Sequence, residues 1–312
     1  MLDIKKNVLL SGYTTFKIGG PAKEFVSART KEELMEVFSY AKENNSKCYV
    51  LGGGSNVFFD DRGFDGMVVK LEGIRDINLL NENKIASWAG ESLGSVIGFA
   101  KNNGLCGMEN LAGIPGTIGG AVRGNAGAFG ISMSDLVCEV NILDVKNLEI
   151  RIAIASECNF SYRDSLFKEN NQYIVLSVVL QLQKGRSDEM EEKIKAVIQK
   201  RNEKQPVGWI GSAGSFFENP IVSNKELIEK FEKETGVRSR DSKIPAGWLI
   251  NQADLKGKRI GGIEISEKHA NFLINVGNAT SQDLIIMSSF IKQQVRDRLG
   301  VQLREEVQYV GF

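Results

Sequence analysis

Four side chains in this sequence have chemistry beyond packing. Ser215 lies in GSAGSFFENP, Gly211–Pro220, a loop of small residues where a hydroxyl can come close to a ligand. The same hydroxyl can equally close a turn on its own backbone. Arg163 stands in Phe160-Ser161-Tyr162-Arg163-Asp164-Ser165, a polar and aromatic break between two strand-like stretches. Its planar, always-charged fork suits a carboxylate or a phosphate, and also a surface ion pair. Glu306 falls in the closing VQLREEVQYVGF, where Leu303, Val307 and Tyr309 define no single face, so its direction is not readable. His269 is the only histidine and would be the default general base at neutral pH. A lone histidine is more often structural, and no Ser-His-Asp triad can be built from this chain.

Two further stretches could act through backbone alone. In residues 108–130, MENLAGIPGTIGGAVRGNAGAFG, seven of 23 residues are Gly and only Glu109 and Arg123 are charged. Glycine loses more conformational freedom on folding than any other residue. Such a run makes sense where backbone approaches something closely, and successive bare N–H groups form an anion-binding concavity. Ile114, Ile118, Val122 and Phe129 are spaced through it, unlike the Ser- and Lys-rich texture of a mobile linker. The second stretch, GGGSN at Gly52–Asn56, follows the strand-like Cys48–Leu51. A glycine turn after a strand is a frequent phosphate cradle, or simply a tight turn. The dinucleotide fingerprint G-x-G-x-x-G is not met, because Val57 stands at its third glycine, and no Walker A motif occurs.

The elements that must position these groups form a mixed α+β order without internal repeats. Residues 23–30 read as a strand. Thr30 and Glu33 then make a capping box for a helix with Leu34, Val37, Phe38 and Ala41 inward. The strand 48–51 completes a β-α-β unit. Strands are expected at 66–71, 84–89, 137–145 and 173–183, and a helix from Ser92 to Asn103. The span 187–204 reads as a charged amphipathic helix using Met190, Ile194, Val197 and Ile198. After Gln205-Pro206 the texture changes, which marks the main domain boundary. Helices follow at 224–235, 246–254 and 281–299, a strand at HANFLINV from His269, and a closing strand.

Composition sets outer bounds. At 312 residues the chain suggests about two domains, and with 42% apolar and 25% charged residues it is globular. Lys plus Arg equals Asp plus Glu at 39 each, which gives no support for nonspecific nucleic-acid binding. No 18-residue apolar window and no signal-peptide core occur, so a cytoplasmic protein without a membrane partner is expected. Cys48, Cys106, Cys138 and Cys158 have no CxxC spacing, and with one histidine a zinc site is not expected.

Taken together, eight segments resemble the UDP-N-acetylenolpyruvoylglucosamine reductases, the MurB family of cell-wall flavoenzymes. They are TTFKIGG (Thr14–Gly20), LGGGSN (Leu51–Asn56), GIPGTIGGAVRGNAGAFG (Gly113–Gly130), YRDS (Tyr162–Ser165), GSAGSFFENP, AGWLINQADLKGKRIGG (Ala246–Gly262), SEKHANFLIN (Ser266–Asn275) and LREEV (Leu303–Val307). They stand in the family's order and span nearly the whole chain. Only residues 166–210 separate YRDS from GSAGS, a spacing similar to the shorter subtype.

The resemblance implies an α+β fold: a two-subdomain FAD-binding region of the p-cresol methylhydroxylase/vanillyl oxidase type plus a C-terminal substrate domain. The implied divisions are 1–69, 70–206 and 207–302, with 303–312 returning near the flavin. It implies that Gly52, Gly53, Gly54, Ser55 and Asn56, with Gly113, Ile114, Pro115, Gly116, Thr117, Gly119, Gly120, Asn125, Ala126 and Gly127, hold FAD. Attachment would be noncovalent, since the only histidine lies far along the chain from both glycine loops. NADPH would be the co-substrate, and the enolpyruvyl ether of UDP-N-acetylglucosamine would be reduced to UDP-N-acetylmuramate for peptidoglycan synthesis. Ser215 would donate the proton, and Arg163 and Glu306 would stabilise the enolate-like charge. Tyr162, Arg163 and Asn219 would contact substrate. One departure stands out: many members carry Lys before the Asn-Pro of the serine loop, where this chain has Glu218. Lys204, Lys256, Lys258 and Arg259 are the candidates to replace it. A monomer is expected. The alternatives are another noncovalent flavoenzyme on the same fold and a non-catalytic nucleotide-sugar binder. The presence of Arg163, Ser215 and Glu306 together disfavours the binder.

Overall fold

The computed structural model describes residues 2–71, 73–206 and 211–312. The chain divides into two compact units. The first holds residues 1–8, 22–54 and 65–203; the second holds 9–21, 55–64 and 204–312. The expected start of the substrate domain, 207–210, lies outside the described residues.

The first unit carries two large sheets and two short two-stranded ones. One large sheet has four strands in the order Lys5–Leu9, Pro21–Ser27, Phe64–Lys70, Cys48–Leu51. Helix α1 (Lys31–Glu43) connects the second and last of these. Thr30 Oγ1 accepts the Glu33 N–H at 3.1 Å, while the Glu33 carboxylate reaches back to the N–H of Arg29 at 2.8 Å, so the expected cap forms one residue wider than a capping box. Strands 21–27 and 48–51 are not neighbours, as a simple β-α-β reading would have it. The buried strand 64–70 lies between them and pairs in parallel with 48–51.

The other large sheet is antiparallel, in the order Glu149–Ile154, Val137–Asp144, Tyr173–Gln181, Lys84–Trp88, Ile77–Asn81. Its two edge strands, 77–81 and 149–154, are not among the strands expected from sequence. Strand 149–154 turns Ile150, Ile152 and Ile154 to solvent and buries only Ala153, so its apolar residues do not mark an inner face. Helices α2 (Leu93–Asn102), α3 (Ile118–Arg123), α4 (Leu166–Glu169) and α5 (Ser187–Lys204) complete the unit. Its core runs from Val26 and Leu34 through Ile85, Val96 and Val122 to Val178 and Leu180.

The second unit is built on an antiparallel sheet of Arg259–Ile260, Ile263–Ile265 and Leu273–Asn275 with helices α6 (Lys225–Thr235), α7 (Ala246–Gln252) and α8 (Ser281–Leu299). A capping box joins Thr280 and Asp283 at the start of α8, and Gly300 ends it in the left-handed region at φ 67°. Phe16, Ile18 and Phe58 from the early part of the chain sit in this unit's core beside Phe216, Leu249 and Ile291. The expected strand from His269 is shorter, Leu273–Asn275. The expected closing strand reduces to Gln308–Val310, paired in parallel with Val57–Phe59. No helix among the described residues is long and apolar enough to cross a membrane. No group of three or more metal-ligating side chains occurs among them, and the four cysteines are free thiols.

Candidate active site

In the first unit the two glycine loops lie against each other. A Cβ on Gly52 would stand 2.7 Å from Thr117 Oγ1, and one on Gly53 would stand 2.7 Å from Gly116 Cα. Both distances are inside any real contact, so glycine is the only residue that fits this approach. The local cause is readable in sequence. Strand 48–51 runs straight into Gly52, and Thr117 caps α3 by accepting the Gly120 N–H at 3.2 Å.

The first amides of α3 are already engaged. Ile118 N–H donates to Glu91 O and Gly119 N–H to Ala89 O. Gly119 and Gly120 therefore shape the site by their missing side chains rather than by offering N–H groups. With Gly52 and Thr117 they line a cavity of about 320 Å³ whose walls include Phe38, Val50 and Ile174.

Asn125, Ala126 and Gly127, expected among the cofactor residues, hold the turn that carries Arg163. Asn125 is buried at φ 40°, donates through Nδ2 to Ser161 O at 2.7 Å, and accepts Ser134 N–H at 2.9 Å. Arg163 donates to Gly127 O at 2.6 Å and to Asn125 O at 3.5 Å. Its guanidinium lies 5.2 Å from the centre of the Tyr162 ring. Arg163 itself has φ 58°, a conformation that a side chain other than glycine's adopts at a cost and that recurs at functional turns. The Arg163 fork is thus placed by backbone carbonyls before any ligand arrives.

Ser215 and Glu306 both belong to the second unit and are joined by a backbone ladder. Glu306 N–H donates to Phe216 O at 2.9 Å, and Glu218 N–H donates to Arg304 O at 2.9 Å. On its other side Ser215 is bridged to Phe272. Asn271 anchors that side, accepting Phe217 N–H at 2.9 Å and donating to Phe217 O at 2.8 Å. Asn56 also lies in this unit, and its Nδ2 donates to Glu306 O at 3.2 Å. Arg163 lies in the first unit.

Ser215 lines a cavity of about 340 Å³ with Asn219, Trp248, Asn251, Lys256, Lys268 and His269. Asn219 accepts the Ala246 N–H at 2.9 Å, which fixes the start of α7. His269 thus lines the same cavity as Ser215. Burial, and then the charge of Lys256, push its pKa below the ordinary 6.5, so the imidazole is neutral. Its Nδ1 accepts the Asn271 N–H at 3.2 Å, which leaves the proton on Nε2. Of the cations expected to stand in for the missing serine-loop lysine, Lys256 reaches this cavity, whereas Arg259 turns to Gly261 O. Trp248, Asn251 and Lys268 are not among the residues expected from sequence. They lie in two of the quoted family segments, on α7 and on the loop before Leu273–Asn275, and only the fold shows that their side chains share one cavity.

Comparison with known proteins identifies the family. Residues 205–310 match the family described as UDP-N-acetylenolpyruvoylglucosamine reductase, C-terminal domain, and residues 22–151 match the FAD binding domain family. The chain is 37% identical over 310 residues to the UDP-N-acetylenolpyruvoylglucosamine reductase of Solibacter usitatus, covering 99% of this chain and 97% of that relative. It is 37% identical over 305 residues to the protein of the same name from Caldanaerobacter subterraneus subsp. tengcongensis, covering 98% and 93%. The crystal structure of UDP-N-acetylenolpyruvylglucosamine reductase from Thermus caldophilus matches with a TM-score of 0.78 and 30% identity, over 99% of this chain and 100% of that one. With full-length relatives at this identity, the chain belongs to the UDP-N-acetylenolpyruvoylglucosamine reductase family.

Proposed function

We propose that this protein reduces the enolpyruvyl ether of UDP-N-acetylglucosamine to UDP-N-acetylmuramate, with NADPH as reductant and noncovalent FAD as carrier. The first unit is the cofactor unit in this reading, and the second is the substrate unit. The loops fit a dinucleotide because Gly52, Thr117, Gly119 and Gly120 line a cavity of about 320 Å³ that their lack of side-chain bulk leaves open. Bound there, FAD supplies the ability to take a hydride from NADPH and pass it to an activated double bond.

The chain's own residues do the rest. Ser215 holds the proton for the α-carbon on Oγ. A hydroxyl is a weak acid, so its partner must be strongly basic and carbanion-like. Arg163, held by two carbonyls, meets the negative charge that develops next to the carboxylate. A donor aimed at such charge is worth about 3–4 kcal/mol. Glu306, its backbone pinned to Phe216 and Asn56, acts as a donor toward charge developing on the substrate when its carboxyl carries a proton. Lys256 and Lys268, with Asn219, bind the diphosphate of the nucleotide in place of the lysine that Glu218 displaces.

The observation that carries this reading is the Ser215 cavity: a serine hydroxyl beside two lysines and three amide side chains, in a chain of this family. Four free thiols fit a cytoplasmic protein acting on small molecules. The test is anaerobic. NADPH should bleach the flavin, and UDP-N-acetylglucosamine enolpyruvate should restore its colour. Flavin that stays bleached overturns the substrate assignment. Acid precipitation should release the yellow colour into solution, and retention on the protein overturns noncovalent binding.

A further inference from the structure

Helix α5 places its apolar residues at Met190, Ile194 and Val197, with Met190 buried and the other two packed on the first unit's core. The helical repeat carries that stripe on to position 201, where the chain has arginine. The Arg201 stem lies on the 113–120 loop: a Cβ at Gly113 would stand 3.0 Å from Arg201 Cδ and 3.7 Å from its Nε. The guanidinium lies 5.5 Å from the centre of the Phe129 ring. Its Nε is buried and has no hydrogen-bond partner among the described residues. Burial, and then the charge of Arg163, both work against the charged form of Arg201, and no carboxylate offsets them.

Packing does not explain this arrangement. A leucine or methionine at 201 would complete the stripe with no unmet N–H and no repulsion from Arg163. A buried donor left without a partner in a native protein calls for a ligand, a water or a strained role to account for it. Arginine cannot escape the cost by losing its proton. The loop it touches has two ends. The Gly116–Thr117 end meets Gly52 and Gly53, the close approach expected of a pyrophosphate cradle. The Gly113 end meets Arg201, whose charge is felt together with that of Arg163.

We propose that Arg201 is an electrostatic residue of the flavin site, whose uncompensated charge beside Gly113, backed by Arg163, favours the reduced, anionic ring over the oxidised, neutral one. The electron count requires such a partner. Hydride from NADPH carries two electrons and one proton, so the nicotinamide leaves as the oxidised cation and the ring gains one negative charge. Arg201 then has the anion that the protein alone does not provide. This rests on the reading that the first unit holds FAD, and it does not depend on which substrate later reoxidises it.

The test is an equilibrium reductive titration of the FAD-loaded full chain against a reference dye, without enolpyruvyl substrate. R201M should lower the two-electron midpoint potential by about 30 mV, which is about tenfold in the equilibrium constant. R201K should stay within about 10 mV of the parent on the same conversion. By linkage, reduced FAD should bind R201M about tenfold more weakly relative to oxidised FAD. An unchanged midpoint in R201M with FAD fully bound overturns the proposal. So does a pure loss of enolpyruvyl-substrate affinity, which would give Arg201 to the substrate carboxylate instead. If R201M fails to fold or to retain FAD, R201Q is compared with R201K. Equal midpoints overturn the proposal, and a lower one in R201Q supports it. A parent protein that binds no FAD would instead count against the cofactor assignment itself.

Discussion

The glycine loops of the first unit and the serine loop of the second are both poor in side-chain bulk, yet they are built on opposite principles. At Gly52 and Gly53 the backbone is brought so close to Thr117 and Gly116 that a Cβ has no room. The loop acts by what is missing. At Ser215 the small residues sit in a ladder, with Phe216 and Phe217 tied to Asn271 on one side and to the 304–306 segment on the other. That ladder delivers one hydroxyl, half-buried, into a polar cavity. Glycine content alone therefore does not say whether a loop cradles a ligand or aims a side chain. What separates them is whether the loop's own hydrogen bonds leave a side chain pointed at open space.

The sharpest way to break this contrast is Ser215→Ala. If the serine loop exists to present a hydroxyl, flavin reduction by NADPH should continue almost unchanged, while reoxidation by the enolpyruvyl substrate slows by about 10²–10⁴-fold, the usual worth of a positioned acid. Stopped-flow absorbance separates the two halves, and normal turnover would remove Ser215 from its role. The corresponding change in the first unit is Gly53→Ala. Its methyl meets Gly116 Cα at 2.7 Å, an overpacking that costs about 1–3 kcal/mol. The loss should appear in FAD affinity by fluorescence titration, with the serine half-reaction intact once FAD is saturating. Full affinity would mean that the loops are not the cradle.

A matched pair of helix caps sharpens the contrast further. Thr117 caps α3 and Thr280 caps α8, and alanine at either should cost about 1 kcal/mol of stability. Because Thr117 Oγ1 also faces Gly52, only Thr117→Ala should weaken FAD binding as well. Equal FAD affinity in both variants would reduce Thr117 to a cap.

The smallest expected effect is a pH slope. His269 is held neutral by burial and Lys256, its folded pKa lying below the ordinary 6.5. Below that ordinary value the unfolded chain takes up a proton that the folded chain refuses. The stability linked to His269 is thus complete above it and declines as pH falls toward the folded pKa. Urea midpoints measured from about pH 8 down to pH 5, where histidine titrates, should fall less steeply in His269→Gln than in the parent. Parallel curves would place the imidazole in a solvated setting.

Much of the fold is legible in the amino-acid sequence. Helices α5 and α8 span 187–204 and 281–299 as their periodicity and caps indicate, because a helix is specified by neighbours three and four residues apart. The edge strands 77–81 and 149–154 are not legible, because an exposed edge carries no reliable alternation. The closing segment reads as one long strand but forms a short one. Its pairing partner, Val57–Phe59, lies about 250 residues earlier in the chain and leaves no local mark on its register.

Residue types, motif order and local periodicity are enough to determine the family resemblance, the α+β class and the identities of Ser215, Arg163 and Glu306. These depend on chemistry and on short spacings, which the chain carries in one dimension. Tertiary structure alone decides that Asn56 hydrogen-bonds the Glu306 segment. It also decides that Asn125 and Gly127 hold the Arg163 turn, that His269 lines the Ser215 cavity, and that Arg201 Nε is buried without a hydrogen-bond partner among the described residues. Each of these is a contact between residues distant in sequence, set by how whole elements pack, and no single segment encodes it.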